Sequence, residues 1–252
     1  MKSYIICGTP RTGSTLLCDL MAATRVAGAP DSFFMDPVDP VWAKAWGLPA
    51  RDGHDATSYA AAYLKAAVSA GTGETNVFGL RLMRENLEGI MALIAAVHPG
   101  LTSDKARLEA AFGNVLYVHL ARGDTLAQAV SLVKAEQTGL WHIAPDGTEL
   151  ERLAPPREPQ YDFARIAAVV AKLERFDAAW SDWFRAQDIK PLHITYEALS
   201  AEPAAVVASI CDALGVSAPR TALSQPAVAK LADAVSAAWM RRYREDARTT
   251  RR

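Results

Sequence analysis

Four short runs of apolar and β-branched residues alternate with stretches of helical periodicity along the 252-residue chain. The runs cover residues 3–7, 77–82, 115–120 and 192–195. Strands that are apolar throughout are buried on both faces, and strands that alternate with helices usually pair in parallel. The pattern therefore predicts an α/β fold with a P-loop-like open, mostly parallel sheet of about four or five strands and helices on both faces.

Apolar residues spaced three or four apart predict the helices between these runs. The first begins near Gly13, and others cover residues 59–69, 85–97, 161–187 and 203–214. Asp124 is the expected N-cap of a further helix that Gly139 ends. These elements predict a single domain over residues 1–252.

Three segments lack a regular period. Residues 28–55 are rich in proline and aromatic residues, and long irregular segments of this kind are usually functional, which makes this the expected acceptor side. Residues 144–160 predict an exposed loop, and the arginine-rich residues 247–252 predict a frayed tail.

The composition limits the classes of ligand and the cell compartment that the sequence predicts. A formal net charge of −1 disfavours nucleic-acid binding but allows a few arginines to hold a small anion in one pocket. The three cysteines, Cys7, Cys18 and Cys211, show no metal-type spacing and predict reduced thiols of a cytoplasmic protein. No leader and no transmembrane segment is expected, because no apolar stretch approaches about 20 residues.

The sequence GTPRTGSTLL, residues 8–17, follows the first apolar run directly. A glycine-rich turn between a strand and a helix binds anions through backbone N–H groups and the helix N-terminus. Its glycines match G-x-x-x-x-G-K-[ST], but Ser14 stands at the lysine position and Thr15 at the hydroxyl position. Without the lysine that spans the β- and γ-phosphates, a nucleoside triphosphatase is disfavoured. Arg11 is then the loop's cation, and the alternative is a turn that only starts a helix.

A second anion site is predicted where the third strand ends. Arg122 follows that strand directly and so lies at the carboxyl edge of the sheet, where open α/β folds bind ligands. Ser131 lies two helical turns further along, on the same side of the next helix as Asp124. Arg122 and Ser131 are therefore candidates for holding a further phosphate, whereas Asp124 is mainly a cap.

Several segments together carry a resemblance. GTPRTGSTLL, VAGAPDSFF, VFGLRLM, ARGDTLAQAVSL, TYEAL and WMRRYRED resemble, in this order, the bacterial trehalose 2-sulfotransferase group. That group belongs to the sulfotransferases that use 3′-phosphoadenosine-5′-phosphosulfate (PAPS). The resemblance implies a sulfotransferase that moves the sulfuryl group of PAPS to a hydroxyl of a small molecule, with a carbohydrate or glycolipid as candidates and without a metal.

The resemblance also assigns roles to residues. It implies that the 5′-phosphosulfate is held by Arg11, Thr12, Gly13, Ser14 and Thr15. It implies that the 3′-phosphate is held by Arg122 and Ser131, with support from Lys230. Arg11 is expected to be catalytic as well, because it can stabilise the negative charge that grows on the leaving phosphate.

The acceptor side departs from the family pattern. The trehalose enzymes have a glutamate as general base where this chain has Ser32, and an earlier acidic position is Ala29. Asp31 and Asp36 are the candidates for the missing base, although both also suit turns beside prolines. His54 is a weaker alternative, and His119 is expected to be a satisfied core residue.

Further residues complete the predicted acceptor side. Ser32, Phe33 and Phe34 are candidates for contacts with the acceptor, and hydrophobic anchoring of the segment is the alternative for the two phenylalanines. Arg81 is expected to touch either the phosphosulfate or an acidic partner.

The residues alone are also compatible with two other functions. One is a small-molecule kinase with a P-loop-like site, and the other is a non-catalytic homologue that binds PAPS or its product. The expected partner is a small-molecule alcohol, and a homodimer is open.

Overall fold

The computed structural model describes residues 1–35, 40–48, 55–144, 146–217 and 233–250. The strands are β1 Lys2–Gly8, β2 Val77–Met83, β3 Asn114–Ala121, β4 Leu140–Ile143, β5 Glu149–Arg152 and β6 Leu192–Thr195. The helices are α1 Ser14–Ala23, α2 Pro40–Ala45, α3 Ala56–Thr72, α4 Leu87–Val97, α5 Asp104–Phe112, α6 Thr125–Thr138, α7 Phe163–Ala186, α8 Tyr196–Ala201, α9 Pro203–Leu214 and α10 Ala234–Thr250.

Four strands form a parallel sheet in the order β2-β1-β3-β6. The register pairs Lys2 of β1 with Val77 of β2 on one side and with Asn114 of β3 on the other. The carboxyl ends of these three strands therefore meet at one edge. The four apolar runs of the sequence coincide with these strands, which confirms the predicted fold class.

The two faces of the sheet carry separate apolar cores. Ile5 and Cys7 of β1 point into a core with residues of α3, α4 and α7, whereas Tyr4 and Ile6 point into a core with residues of α1 and α9. Successive side chains of a strand face opposite ways, so both faces need an apolar cover. This arrangement explains why β1 is apolar at every one of these positions.

The expected helix ends are largely confirmed. The Asp124 carboxylate accepts a hydrogen bond from the Ala127 N–H, and Gly139 ends α6 with a left-handed backbone. Helix α9 has the predicted bounds, with Gly215 at its end. A third apolar core joins α6, α7 and α10 and includes Trp239.

Three predictions about irregular segments need correction. Residues 149–152 are a strand of a hairpin with β4, so residues 144–160 are not a loop throughout. Helix α10 continues to Thr250, past residue 247 where we expected fraying. The short helix α2 lies within residues 28–55, so this segment is not irregular throughout. Outside these segments, helix α5 was not predicted, because it has few apolar positions.

Candidate functional site

The loop of residues 8–13 connects β1 to α1 at the carboxyl edge of the sheet. Arg11 has φ +66° and Gly13 has φ +83°, so the loop makes two left-handed steps before the helix begins. Gly13 is the N-cap residue and offers no side chain, and no acidic residue stands in the first turn of α1. The N–H groups of that turn are therefore not capped by a side chain, as an anion site requires.

Two buried side chains from other helices fix the shape of this loop. The Gln128 amide of α6 donates to Thr9 Oγ1 at 2.9 Å and to the Pro10 carbonyl at 2.7 Å. The Trp180 indole of α7 donates to the Gly8 carbonyl at 2.9 Å. Sequence reasoning did not find these roles. The position of Gln128, a polar residue beside the apolar stripe of α6, was the sequence signal for a buried hydrogen-bonding role.

The predicted hydroxyl ligands of the loop differ in their surroundings. Thr12 is buried and its hydroxyl donates to the Thr9 carbonyl at 2.9 Å, so Thr12 can offer a ligand only its backbone. Ser14 is buried at the first position of α1. Thr15 Oγ1 accepts a hydrogen bond from Arg81 Nη1 at 2.7 Å.

The side chain of Arg11 links the two predicted anion sites. Its Nε donates to Ser131 Oγ at 3.0 Å, and its Nη1 donates to the Trp141 carbonyl of β4 at 2.8 Å. We had expected Ser131 to face a phosphate beside Arg122 and Arg11 to face another. Instead the structure brings Arg11, Ser131 and Arg122 into one cluster.

Arg122 completes this cluster from the end of β3. Its Nη1 donates to the Arg11 carbonyl at 3.1 Å, and its guanidinium carbon lies 4.3 Å from the centre of the Tyr196 ring. Its Nε is buried and has no hydrogen-bond partner in the described part of the chain. A buried donor without a partner costs roughly 1–3 kcal/mol, so it favours a ligand that accepts from it.

The protein balances the positive charge of the cluster only in part, because Glu151 acts on Arg11 from outside ion-pair distance. Within the described ranges, neither Arg11 nor Arg122 forms a salt bridge with a carboxylate. Burial and, after it, the charge of Arg122 lower the pKa of Arg11 to about 10, although Glu151 and Tyr196 act in the opposite direction. Two partly buried cations side by side are stabilised by a bound anion.

The opposite flank of the loop contains Arg81 of β2. Its Nη2 contacts Asp31 Oδ1 at 3.0 Å, and its Nε donates to Ser32 Oγ at 2.7 Å. The Arg81 N–H also donates to the Asp31 carbonyl, and a parallel bridge joins Asp31 to Leu80. Of the two expected partners of Arg81, the structure shows the acidic one. Arg81 thus ties residues 31–32 to Thr15 of the loop.

The prediction that Phe33 and Phe34 contact the acceptor is wrong for this structure. Their exposed fractions are 2% and 4%, and both belong to the apolar core under α3. The Phe33 ring lies 5.2 Å from that of Trp42, and the Phe34 ring lies 5.8 Å from that of Tyr63. The alternative, hydrophobic anchoring of the segment, is the one that the structure shows.

Three of the predicted residues fall outside the described residues: Asp36, His54 and Lys230. His119 is buried as expected, with its ring nitrogens 3.3 Å from His193 Nδ1 and 3.2 Å from Asp177 Oδ1.

A cavity of about 280 Å³ adjoins the arginine cluster. It lies between α6, the β4–β5 hairpin and residues 156–159, and its lining includes Ser131, Lys134, Arg152, Arg157 and Asp233. The charged lining is mixed, since Glu158 and Asp233 accompany the three basic residues and Asp233 forms an ion pair with Lys134. The cluster therefore has room beside it for a ligand larger than a single phosphate.

The described residues form neither a metal site nor a membrane-spanning helix. In the described part of the chain, no group of three or more His, Cys, Asp or Glu residues is arranged to hold a metal ion. Among the same residues, no helix combines the length and the apolar character that crossing a bilayer requires.

Comparison with known sequences agrees with this geometry. A family model described as Stf0 sulphotransferase matches residues 3–246. The chain is 30% identical to trehalose 2-sulfotransferase of Mycobacterium tuberculosis, over 98% of this chain and 96% of that protein. It is 29% identical to trehalose 2-sulfotransferase of Mycolicibacterium smegmatis, over 97% of this chain and 95% of that protein.

Comparison with solved structures supports the fold. The sulfotransferase domain from the curacin biosynthetic pathway superposes with a TM-score of 0.51 at 18% sequence identity. The superposition covers 94% of this chain and 82% of that domain.

Proposed function

The chain belongs to the Stf0 sulphotransferase family and is a sulfotransferase, and on that premise we propose that it moves the sulfuryl group of PAPS to a hydroxyl of a small molecule. The observation that carries the choice of donor is the pair Arg11 and Arg122, two neighbouring cations without a carboxylate partner in the described ranges. The family assignment also removes the kinase alternative.

The arrangement around the loop suits a donor with two separate acidic ends. The uncapped N-terminus of α1 suits one anion, and the unpaired Nε of Arg122 suits another. Arg11 Nε donates a hydrogen bond to Ser131 Oγ at 3.0 Å. A phosphate bound between these two side chains would replace this internal hydrogen bond. The cavity beside Ser131 leaves space for the remainder of a nucleotide.

PAPS supplies a sulfuryl group whose transfer leaves a 5′-phosphate with increased negative charge. In our proposal, Arg11 and the first-turn N–H groups of α1 stabilise that charge because they are fixed in position before the reaction. Gln128 and Trp180 keep the loop in this conformation through their hydrogen bonds to residues 8–10. Preorganised donors of this kind need no rearrangement as the charge develops.

The acceptor side is proposed to lie around Arg81, on the other flank of the loop. The two curated relatives are named for trehalose, so a carbohydrate is the first class of acceptor to test. Ser32 accepts a hydrogen bond from Arg81 through its hydroxyl, so the two side chains form a polar surface on this flank. We propose that a hydroxyl-rich acceptor is held by this surface.

The prediction that Asp31 is the general base stays a prediction, and its contacts argue for another role. One carboxylate oxygen, Oδ1, contacts Arg81 at 3.0 Å and also accepts from the Ser32 N–H at 2.7 Å. Both interactions occupy the same oxygen and fix the orientation of the carboxylate against Arg81. We propose that Asp31 mainly holds Arg81 in place beside Thr15.

The proposed donor is tested by ligand-induced stabilisation. We expect adenosine 3′,5′-bisphosphate to raise the unfolding temperature in a saturable way, while ATP with Mg²⁺ raises it far less. Arg122→Met should remove most of this effect, and Arg165→Met serves as the control because Arg165 pairs with Glu136 on the surface. Equal responses of the two variants would contradict the proposed donor site.

The proposed reaction is tested with PAPS and trehalose, followed by mass spectrometry of the sugar. A mass gain of one sulfuryl group, dependent on wild-type protein and absent with Arg122→Met, is the expected result. If the wild-type protein binds the bisphosphate but sulfates neither trehalose nor a panel of simpler sugars, a carbohydrate acceptor is ruled out.

A further inference from the structure

A histidine and a glutamate face each other on the β4–β5 hairpin. His142 Nδ1 lies 2.5 Å from Glu151 Oε2, and the two side chains are 22% and 44% exposed. The register of the hairpin pairs these two residues directly. An ionised carboxylate can only accept, so the Glu151 contact keeps the proton of a neutral imidazole on Nδ1 and leaves Nε2 as the basic nitrogen.

The hairpin is attached to the loop of the candidate site. The residue before His142, Trp141, accepts a hydrogen bond from Arg11 through its carbonyl at 2.8 Å. The charge of Arg11 also acts on His142, and so does the charge of Arg81 from the opposite flank of the loop. The charges of Arg11 within the loop and of Arg81 beside it thus both act on the imidazole.

The surroundings of His142 keep its ring neutral near neutral pH. Burial lowers the pKa of His142 below its ordinary value, and the positive charges of Arg11 and Arg81 lower it further. Glu151 opposes these effects through its hydrogen bond and its charge. His142 Nε2 has no hydrogen-bond partner in the part of the chain that the structure describes. A neutral imidazole with such a nitrogen, oriented by a carboxylate on Nδ1, is the arrangement of a general base.

Among the described residues, the other candidates for the base already have partners. Ser32 is a hydroxyl that accepts from Arg81, and Asp31 is held by an ion pair with the same arginine. His119 lies within the sheet, where both of its ring nitrogens have partners.

We propose that His142 is the general base of the transfer reaction and that Glu151 is the residue that positions it, an inference that rests on the proposed function. The acceptor O–H gives its proton to His142 Nε2 as the acceptor oxygen forms its bond to sulfur. The bond between sulfur and the 5′-phosphate oxygen breaks, and its electron pair stays on the leaving phosphate. The imidazolium then releases its proton to solvent, because its side chain is partly exposed.

The first experiment compares two acceptors in His142→Asn. Trehalose has an alcohol that needs a base, whereas p-nitrophenol is already ionised at pH 8 and needs none. We expect His142→Asn to lose on the order of 10²-fold or more in kcat for trehalose, and to keep most of its rate with p-nitrophenol. His98→Asn, at the C-terminal cap of α4, is the matched control and should behave as wild type with both acceptors.

The second experiment follows kcat/KM for trehalose against pH. The wild-type rate should fall at acidic pH as His142 becomes protonated, with a midpoint below the ordinary histidine pKa of about 6.5. Glu151→Gln removes the contribution that raises this pKa, so the acidic limb should move to still lower pH while kcat falls. A purely structural role of Glu151 would not move the limb.

The outcomes separate this inference from the proposed function. If wild type transfers sulfate to no alcohol of a broad panel that includes trehalose and p-nitrophenol, the proposed function fails. If wild type is active and His142→Asn matches His98→Asn on trehalose, or if Asp31→Asn removes the acidic limb instead, His142 is not the base. A His142→Asn variant that loses both acceptors equally, with unchanged affinity for the bisphosphate, would also overturn the inference. Loss of trehalose transfer alone supports it.

Discussion

We expect Gly13→Ala to damage both the fold and the donor site, because Gly13 meets two separate constraints. Its φ of +83° is a left-handed conformation that favours glycine. A Cβ built at this position would lie 2.6 Å from Cδ2 of the Tyr196 ring. That ring in turn supports the guanidinium of Arg122 at 4.3 Å. A single methyl group would therefore disturb both anion sites.

The magnitude follows from these two constraints. The left-handed backbone costs an alanine roughly 1–2 kcal/mol, and forcing the half-buried ring aside costs about 1–3 kcal/mol more. The free energy of unfolding should fall by about 2–5 kcal/mol, which lowers Tm by about 4–20 °C in a chain of this size. Gly100 has φ +87° and open space around a Cβ, so Gly100→Ala incurs only the backbone cost.

The assay is thermal unfolding of the three proteins, repeated across a titration with adenosine 3′,5′-bisphosphate. Gly100→Ala should lose about 1–2 kcal/mol of stability and bind the bisphosphate as wild type does. Gly13→Ala should lose more stability and should also bind the ligand at least tenfold more weakly, roughly 1.4 kcal/mol. If the two variants lose equal stability and bind equally well, the contact of the loop with Tyr196 does not shape the site.

Three further predictions concern the surroundings of the site. Gln128→Leu removes two buried hydrogen bonds to the loop, so stability should fall by roughly 1–3 kcal/mol and bisphosphate affinity should fall with it, both measured by thermal unfolding. Asp124→Ala should cost about 1 kcal/mol in a denaturant titration while Asp124→Asn costs little, because either Asp or Asn can cap α6. Burial raises the pKa of the thiols of Cys7, Cys18 and Cys211, to about 12 for Cys18. All three thiols should therefore react with a chromogenic disulfide at pH 8 only after unfolding in guanidinium. Fast reaction of the native protein would contradict this.

The sequence sufficed for the sheet because each parallel strand is buried on both faces and is therefore apolar throughout. It also sufficed for α6, since Asp124 and Gly139 are end signals that act locally. Strand β5 escaped prediction because three of its four residues are charged and none of the four is fully buried. What holds β5 is its pairing with β4, which no local pattern encodes.

The candidate site was predictable where it depends on one segment and unpredictable where it depends on two. The loop of residues 8–13 follows from its own glycines. The contact of Arg81 with Asp31 depends on residue 31 lying beside β2, and the contact of His142 with Glu151 depends on the hairpin. Tyr196 supports Arg122 only because β6 lies next to β3 in the sheet.

The central position of β1 has an evolutionary consequence. Because β1 lies between β2 and β3, its loop has Arg81 on one flank and Arg122 on the other. Under the proposed function, these flanks serve the acceptor and the donor, and they are carried by different strands. Mutations can therefore change the residues of one flank while the residues of the other flank keep their function. Ser32 contacts Arg81 on the acceptor flank, so a substitution there can change the acceptor while the donor flank stays unaltered.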